Sequence, residues 1–450
     1  MDYFSKWYEK HEKDLKSSFF EFLKIPSISA DLSQRHEIFK CASWVEAYLK
    51  KSGLHASLIQ TSGNPIVFGE PFKLDPAKRT LLIYGHYDVQ PVDPLELWES
   101  SPFEPEERDG KIYARGAVDD KGQILYAMAA VRALIERGPL PVNIKFCIEG
   151  EEETSSIGLA NQLPYIKDQL KADDLLVVDF NSFDEKTPAV NLGARGMLTI
   201  ELTLIGSNID LHSGVLGGIA YNPIRALSEL IAKLYDLSGK VAVDGFYDDV
   251  VDLEKEELEE ISYPYDKAYF KKQFGIEKFG GELNRSLKEA NFFRPTIEIN
   301  GISGGYAGPG FKTVIPAKAT AKISCRLVPN QDPNDIKNKV EAFLKKNCPQ
   351  GMKIQIDIQD GFAAFRSSSK SKLAKALASA CEEVMGRKAE NLVSGGSIPV
   401  IAPLSLAIGA EVVGMGYCLA TDQIHAPNEH FSMERFRNGF LTVAKTIDQL

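Results

Sequence analysis

The sequence of 450 residues predicts an α/β fold, in which a mostly parallel, doubly wound domain carries an inserted, smaller α+β domain. In the first 194 residues, short apolar runs alternate with helical patterns, as strands and crossover helices do in a parallel sheet. From residue 195 the strand runs alternate apolar and polar residues, as in a sheet with one solvated face. The first character returns after residue 361. We therefore expect a discontinuous domain of residues 1–194 and 362–450 around an inserted domain of residues 195–361.

Periodicity and turn residues place the elements of the larger domain in order. Apolar residues recur at helical spacing, and glycine or proline ends several of the runs. Helices are expected over residues 1–24, 37–52, 124–137 and 370–386 and from Met433 onward, and buried strands over residues 80–85, 142–148 and 175–178.

The inserted domain is predicted from alternating strands and two amphipathic helices. Strands are expected over 198–205 and within RPTIEINGI, TVIPAKATAKISCRLVP and MKIQIDIQ, and helices over 223–237 and 332–346. Asp332 is a good N-cap and Pro333 suits the first helical position. The charged and aromatic residues 242–290 are predicted to form a helical insertion.

Composition excludes several classes of function. The formal charge of −10 and the lack of a Lys/Arg cluster argue against nucleic-acid binding. No segment reaches the ~18 apolar residues of a membrane span, and the N-terminus has no apolar signal-peptide core. The six scattered cysteines favour a reducing compartment. We expect a cytoplasmic protein.

Acidic residues and one histidine recur where predicted strands end. His86 and Asp88 follow RTLLIYG, and successive carboxylates follow the next strands or precede a helix, namely Asp119, Asp120, Glu151, Glu152, Glu153 and Asp179. The carboxyl ends of parallel strands share one sheet edge, where ligands bind. With His425 in QIHAPNEHF, these residues suit a two-metal hydrolytic site, whose ions lie ~3.5–4 Å apart. Nitrogen and oxygen donors are compatible with zinc, manganese or cobalt.

Each residue alone also has an ordinary structural explanation. Adjacent aspartates are common at helix starts, and consecutive glutamates often form a solvated face. A lone histidine is usually a surface or core residue, and His430 at a helix start favours a structural role. The shared position at strand ends is what favours the metal site.

Seven strings in order, YGHYDVQP, ARGAVDDKGQ, FCIEGEEE, DLHSG, KTVIPAKATAKISCRLVP, GGSIPV and IHAPNEHF, resemble the M20 metallopeptidase family. The resemblance is to its dipeptidase branch, which includes cytosolic nonspecific dipeptidases and carnosinases. It implies a binuclear-metal dipeptidase, a homodimer whose inserted domain serves as lid and dimerisation domain.

The resemblance also implies two divalent ions, zinc first and manganese or cobalt as alternatives, held by His86, Asp179, Glu153, His425 and a bridging Asp119. Asp88 would orient His86, and Glu152 would be the general base, with Glu151 an alternative of the same chemistry. The peptide bond between Asp119 and Asp120 is expected to be cis.

The remaining implied residues bind substrate. His212 would stabilise the oxyanion from the partner subunit of the dimer, Arg326 would bind the substrate carboxylate, and Thr313 and Ser397 would line that subsite. Relatives often carry an arginine shortly before GGSIP, whereas Leu392-Val393-Ser394 stand here, which leaves the preferred dipeptide open.

The sequence therefore predicts hydrolysis of dipeptides that have a free C-terminal carboxylate, with no nucleic-acid or membrane partner. An N-acyl amino acid deacylase or desuccinylase on the same scaffold is the first alternative. A non-catalytic metal-dependent binding protein is the second.

Overall fold

The computed structural model describes residues 2–263, 265–396 and 398–450. In these ranges the α-helices are Tyr3–Leu23, Arg35–Lys51, Lys121–Arg137, Ile157–Leu170, Ser213–Leu216, Pro223–Ala232, Lys255–Glu260, Lys267–Phe274, Pro333–Asn347, Lys372–Met385, Ile401–Ile408 and Met433–Asp448. No helix among the described residues combines the length and the apolar character that crossing a membrane requires.

A nine-stranded mixed sheet organises the described residues outside 195–361. Its order is His55–Ile59, Ile66–Glu70, Asn143–Glu149, Thr80–His86, Asp174–Val177, Glu411–Gly414, Ala189–Ala194 and Phe365–Arg366, with Glu390–Ser394 also paired to Ala189–Ala194. The centre is parallel, since Thr80–His86 runs parallel to both neighbours. The first two strand pairs at one edge are antiparallel. The predicted α/β class is confirmed, with a parallel centre and antiparallel pairs toward both edges.

The central strand Thr80–His86 is buried on both faces. Leu81 and Ile83 pack into one apolar core, and Leu82 and Tyr84 pack into the other. Alternation along a strand sends successive side chains to opposite faces, so helices cover both sides of the sheet. The site at the end of this strand therefore rests on a rigid support.

A second, antiparallel sheet is formed by residues that lie in sequence between the strands Ala189–Ala194 and Phe365–Arg366. Its order is Thr296–Gly304, Lys318–Leu327, Gly196–Ile205 and Lys353–Ile358. The helices Pro223–Ala232 and Pro333–Asn347 cover one face with a separate apolar core. Asp332 caps the second helix by accepting hydrogen bonds from the amides of Asn334 and Asp335, as predicted.

Short strands complete the described topology. Leu211–His212 pairs with Val314–Ile315, and Lys111–Tyr113 pairs with Glu106–Arg108 and His430–Ser432.

The insertion at residues 242–290 is less helical than its composition suggests. Within its described residues the helices are Lys255–Glu260 and Lys267–Phe274, and a π-helical turn, Glu289–Phe293, follows. Glycine and ion pairs fix much of the remaining chain, so the prediction of a helical insertion is only partly correct. The preceding helix ends at Ala232, five residues before its predicted end.

Candidate metal centre

The parallel centre of the large sheet brings the predicted strand-end residues to one edge. His86 ends its strand, and the neighbouring strands Asn143–Glu149 and Asp174–Val177 end just before the glutamates and Asp179. His425 arrives on the loop that follows Glu411–Gly414. Residues far apart in the chain therefore meet because their strands are adjacent.

Two groups of possible metal ligands share Asp119. One consists of His86, Asp119 and Asp179, and the other of Asp119, Glu153 and His425. His86 Nε2 lies 3.0 Å from Asp119 Oδ1 and 3.7 Å from Asp179 Oδ2. His425 Nε2 lies 2.9 Å from Asp119 Oδ2 and 3.2 Å from Glu153 Oε2. Thus each oxygen of the Asp119 carboxylate faces a different histidine. The peptide bond between Asp119 and Asp120 is cis, as expected.

The two histidines change the protonation of this cluster. Burial alone would raise the pKa of Asp119, but hydrogen bonds with His425 and His86 lower it below its ordinary value. The contacts with Asp119 and Glu153 raise the pKa of His425 to about 10. Asp119 is therefore ionised, as metal coordination by its carboxylate would require.

The other carboxylates carry a surplus of negative charge. Burial raises the pKa values of Glu152, Glu153 and Asp179, and repulsion from neighbouring carboxylates adds to this effect. One oxygen of the buried Asp120 carboxylate has no hydrogen-bond partner. Divalent cations would offset this charge, and two imidazoles among carboxylates are donors that zinc, manganese and cobalt accept. The residues therefore suit a metal centre.

Asp88 links His86 to the glutamate turn. His86 and Asp88 are both fully buried, and His86 Nδ1 lies 3.1 Å from the Asp88 carbonyl oxygen and 3.4 Å from Asp88 Oδ1. The Asp88 carboxylate also accepts hydrogen bonds of 3.2 Å from the amides of Glu152 and Glu153. One side chain thereby sets the position of both the histidine and the turn.

The three consecutive glutamates have different surroundings. Glu153 belongs to a ligand group and accepts a 2.7 Å hydrogen bond from Gln90 Nε2, a contact that sequence reasoning did not predict. Glu152 lines the same cavity as Asp119 and His425. Glu151 instead accepts a hydrogen bond from the Gly158 amide at the start of the next helix. The geometry separates Glu151 from the other two.

Glu429 positions the Asp119 loop, although sequence reasoning did not select it. Its fully buried carboxylate accepts hydrogen bonds from Arg115 Nη1 at 2.7 Å and from the amides of Gly116, Val118 and Asp119 at 3.0 to 3.2 Å. Its position in IHAPNEHF, four residues after His425, was the available sequence indication. His430 contacts Asn428 and Lys111 and belongs to neither ligand group.

Replacing Glu429 with glutamine is expected to lower the free energy of unfolding by about 3–5 kcal/mol, because the buried Arg115 loses its charged partner. Denaturant titration measures this change. The exposed Glu434 is a nearby control, and Glu434→Gln should change stability by no more than about 0.5 kcal/mol. Equal midpoints for the Glu429→Gln and wild-type proteins would contradict the assigned role.

Glu149 lies buried beneath the site and accepts hydrogen bonds from Tyr84 Oη at 2.5 Å and Ser156 Oγ at 2.9 Å. Burial raises its pKa to about 8 from an ordinary value of 4.5. Between these values the folded chain holds a proton that the unfolded chain releases. This contribution to stability is therefore complete below pH 4.5 and is lost as pH rises toward 8.

Glu149→Gln removes this dependence while keeping an oxygen for Tyr84 and Ser156. Relative to the wild type, the variant should gain about 3 kcal/mol of stability between pH 5.5 and pH 8, since each pH unit contributes about 1.4 kcal/mol. Denaturant unfolding of both proteins at the two pH values measures the difference, and parallel pH profiles would disprove the shift.

One cavity adjoins the cluster, and a second cavity shares Tyr263 and Asn291 with the first. The site cavity, of about 480 Å³, is lined by Asp119, Glu152, Asp179 and His425 together with apolar residues that include Leu392 and Val393. The Arg326 cavity, of about 1080 Å³, is lined by Arg195 and Arg326 and by residues of the insertion. Arg326 is thus in the neighbouring cavity and not among the described residues lining the site cavity.

The remaining predicted residues lie elsewhere in the single chain. His212 is exposed, its Nδ1 accepts a hydrogen bond from the Gly214 amide, and it pairs with Val314 across a short antiparallel ladder. Thr313 is beside it, since its carbonyl oxygen accepts a hydrogen bond from the Ser213 amide. Neither is among the described residues that line the two cavities. Ser397 lies outside the described residues.

Residues 82–449 match the model of peptidase family M20/M25/M40. The chain belongs to this family. It is 31% identical to a Cys-Gly metallodipeptidase of Candida albicans, over 96% of this chain and 94% of that protein. It is 29% identical to the human Beta-Ala-His dipeptidase, over 96% of this chain and 89% of that protein.

Solved structures of the family have the same architecture. An M20 family metallo-carboxypeptidase from Sulfolobus solfataricus superposes with a TM-score of 0.83 at 34% identity, covering 96% of this chain and 98% of that one. Human carnosine dipeptidase 1 superposes with a TM-score of 0.78 at 28% identity, covering 99% and 98%. The M20 peptidase is therefore a hydrolytic enzyme, with a cluster of potential metal ligands at the expected sheet edge.

Proposed function

We propose that this M20 peptidase is a metal-dependent dipeptidase that cleaves dipeptides with a free C-terminal carboxylate. The observation that carries the proposal is the pair of ligand groups sharing Asp119, with the half-buried Glu152 in the same cavity. Relatives named as dipeptidases, which match nearly the whole chain, support this choice of substrate.

His86 and Asp179 would hold one ion, Glu153 and His425 the other, and Asp119 both. When bound, two divalent cations polarise the scissile carbonyl and lower the pKa of the attacking water. The nitrogen and oxygen donors suit zinc, manganese or cobalt, and the family resemblance puts zinc first.

The chain's own residues supply the proton transfers and the binding contacts. Glu152 takes a proton from the attacking water at its carboxylate and later donates it to the leaving amine, and Asp88 orients His86. His212 donates a hydrogen bond to the oxyanion. Arg326 holds the substrate carboxylate through its planar guanidinium, and Thr313 and Ser397 contribute to substrate binding.

A homodimer would supply His212 from the partner subunit. Support comes from the exposed ladder that carries His212 beside Thr313, away from both cavities of its own chain. An exposed imidazole with its Nδ1 already bonded to the Gly214 amide leaves Nε2 to interact with a substrate in another subunit.

The inserted domain, residues 195–361, would then act as lid and dimerisation domain of the catalytic domain formed by residues 1–194 and 362–450. Its separate core supports this division. A cytoplasmic location is supported by the six cysteines, all of them described and all free thiols.

A metallo-carboxypeptidase is the second candidate, because one of the similar structures, at 34% identity, carries that name. A panel of dipeptides, N-terminally extended peptides and N-acyl amino acids, assayed with zinc, manganese or cobalt, decides among the activities. We expect dipeptides to have the highest kcat/KM. Faster cleavage of longer peptides would favour the carboxypeptidase, and activity confined to N-acyl amino acids would overturn the proposal in favour of a deacylase.

A further inference from the structure

The insertion and the turn that follows it border the site cavity and the neighbouring Arg326 cavity. Tyr263 and Asn291 line the site cavity and the Arg326 cavity alike, and Tyr265 and Phe292 line the site cavity. Tyr263 packs edge-on against Tyr265 and Phe292, with ring centroids 5.4 and 5.3 Å away. Tyr263 and Asn291 therefore form the boundary between the site cavity and the Arg326 cavity.

Hydrogen bonds hold this boundary on the larger domain and on Arg195. The Ser262 amide donates to the Asn391 carbonyl at 2.8 Å, and Asn391 Nδ2 donates to the Glu260 carbonyl at 3.2 Å. Arg195 Nη1 donates to the Asn291 carbonyl at 2.8 Å. Since the insertion is fixed at these points, its side chains form a defined wall.

The wall of the Arg326 cavity is largely apolar. Phe270, Ile276, Phe279 and Leu283 contribute to it, and Leu283 is 66% exposed despite its place in a concave surface. Exposed apolar side chains that line a concavity are typical of a ligand pocket, because a bound apolar group removes them from water.

Two charged residues of this wall, Arg294 and Glu282, pair with each other, and Arg285 pairs with Asp252, which is not among the described lining residues. Arg294 Nε lies 2.9 Å from Glu282 Oε1, and Arg285 Nη2 lies 2.7 Å from Asp252 Oδ2. Since these charges are paired and the wall is largely apolar, an apolar side chain suits the cavity beside Arg326.

We propose that the Arg326 cavity binds the side chain of the substrate's C-terminal residue and selects large apolar or aromatic side chains. This inference rests on the proposed function, in which Arg326 binds the C-terminal carboxylate. It gives the 242–290 insertion a role in choosing among dipeptides.

The test compares Ala-Phe and Ala-Gly, with Phe-Ala and Ala-Ala as the series that varies the N-terminal residue. The wild type should cleave Ala-Phe with a kcat/KM about tenfold above that for Ala-Gly, since a filled apolar pocket contributes differences of this size. Leu283→Glu should lower the value for Ala-Phe about tenfold and change those for Ala-Gly and Phe-Ala less than about twofold.

Leu237→Glu is the matched control. Leu237 is fully exposed, is not among the described residues of either cavity, and adjoins Ser238, whose carbonyl accepts a 2.8 Å hydrogen bond from the Leu283 amide. It should leave all four substrates unchanged. Equal wild-type rates for Ala-Phe and Ala-Gly, or an equal loss for all substrates in Leu283→Glu, would overturn the inference while leaving the dipeptidase in place. Failure to cleave any dipeptide would overturn the proposed function and this inference with it.

Discussion

Replacing Glu152 with glutamine is expected to lower kcat by about 10²–10⁴-fold, the usual contribution of a positioned general acid–base. Glutamine keeps the size of the side chain and cannot accept the proton of the attacking water. Burial raises the pKa of Glu152 well above its ordinary value, and Asp179 and Glu153 add to the shift, which makes its carboxylate a stronger base.

The measurement pairs steady-state kinetics with metal analysis of the purified variant. Metal content should match that of the wild type, because Glu152 belongs to neither ligand group. Glu151→Gln is the matched control, since the neighbouring carboxylate bonds the Gly158 amide instead. A Glu152→Gln enzyme with full metal content and near-normal kcat would exclude the assignment.

Separate substitutions of His212 and Arg326 by alanine are expected to inactivate the enzyme, and a mixed dimer of the two variants is expected to recover activity. Removing an oxyanion donor costs about 10²–10³-fold in kcat. Losing a charged hydrogen bond to the substrate carboxylate costs about 1.5–3 kcal/mol. In the mixed dimer, one site combines its own Arg326 with an intact His212 from the partner, while the other site lacks both.

Co-expression with two different affinity tags isolates the mixed dimer, which should have about half the wild-type activity if one site in two is complete. Each variant purified alone is the control. A mixed dimer as inactive as either parent would contradict the division in which His212 acts across the interface and Arg326 acts within its own subunit.

The residues at the sheet edge were accessible from sequence because their positions follow from strand periodicity. Where the end of a buried parallel strand can be predicted, the residues that follow it lie at the same sheet edge as those that follow the neighbouring strands. The strand ends alone therefore group His86 and Asp179 with the glutamates. The divided roles assigned to these residues came from the family resemblance and stay predictions.

Other contacts could not be predicted, since they depend on loops that meet only in the folded chain. Glu429 reaches back more than 300 residues to Arg115 and the Asp119 loop, and its sequence neighbourhood shows only an acid beside a histidine. Gln90 and Glu153 meet in the same way. The insertion was predicted as helical from its charge pattern, whereas the ion pairs of Arg285 and Arg294 fix much of it as irregular chain.

By itself the sequence determined the α/β class, the strand ends that carry acids and histidines, and the resemblance to M20 peptidases. These properties follow from local periodicity and from strings of adjacent residues. Only the tertiary structure decided that each oxygen of Asp119 faces a different histidine, that Glu151 bonds the next helix, and that Arg326 lies in a cavity separated from the metal cluster by Tyr263 and Asn291. Such distances depend on how sheets and loops pack. Packing brings together residues that are far apart in the sequence, and the sequence pattern does not indicate which of them make contact.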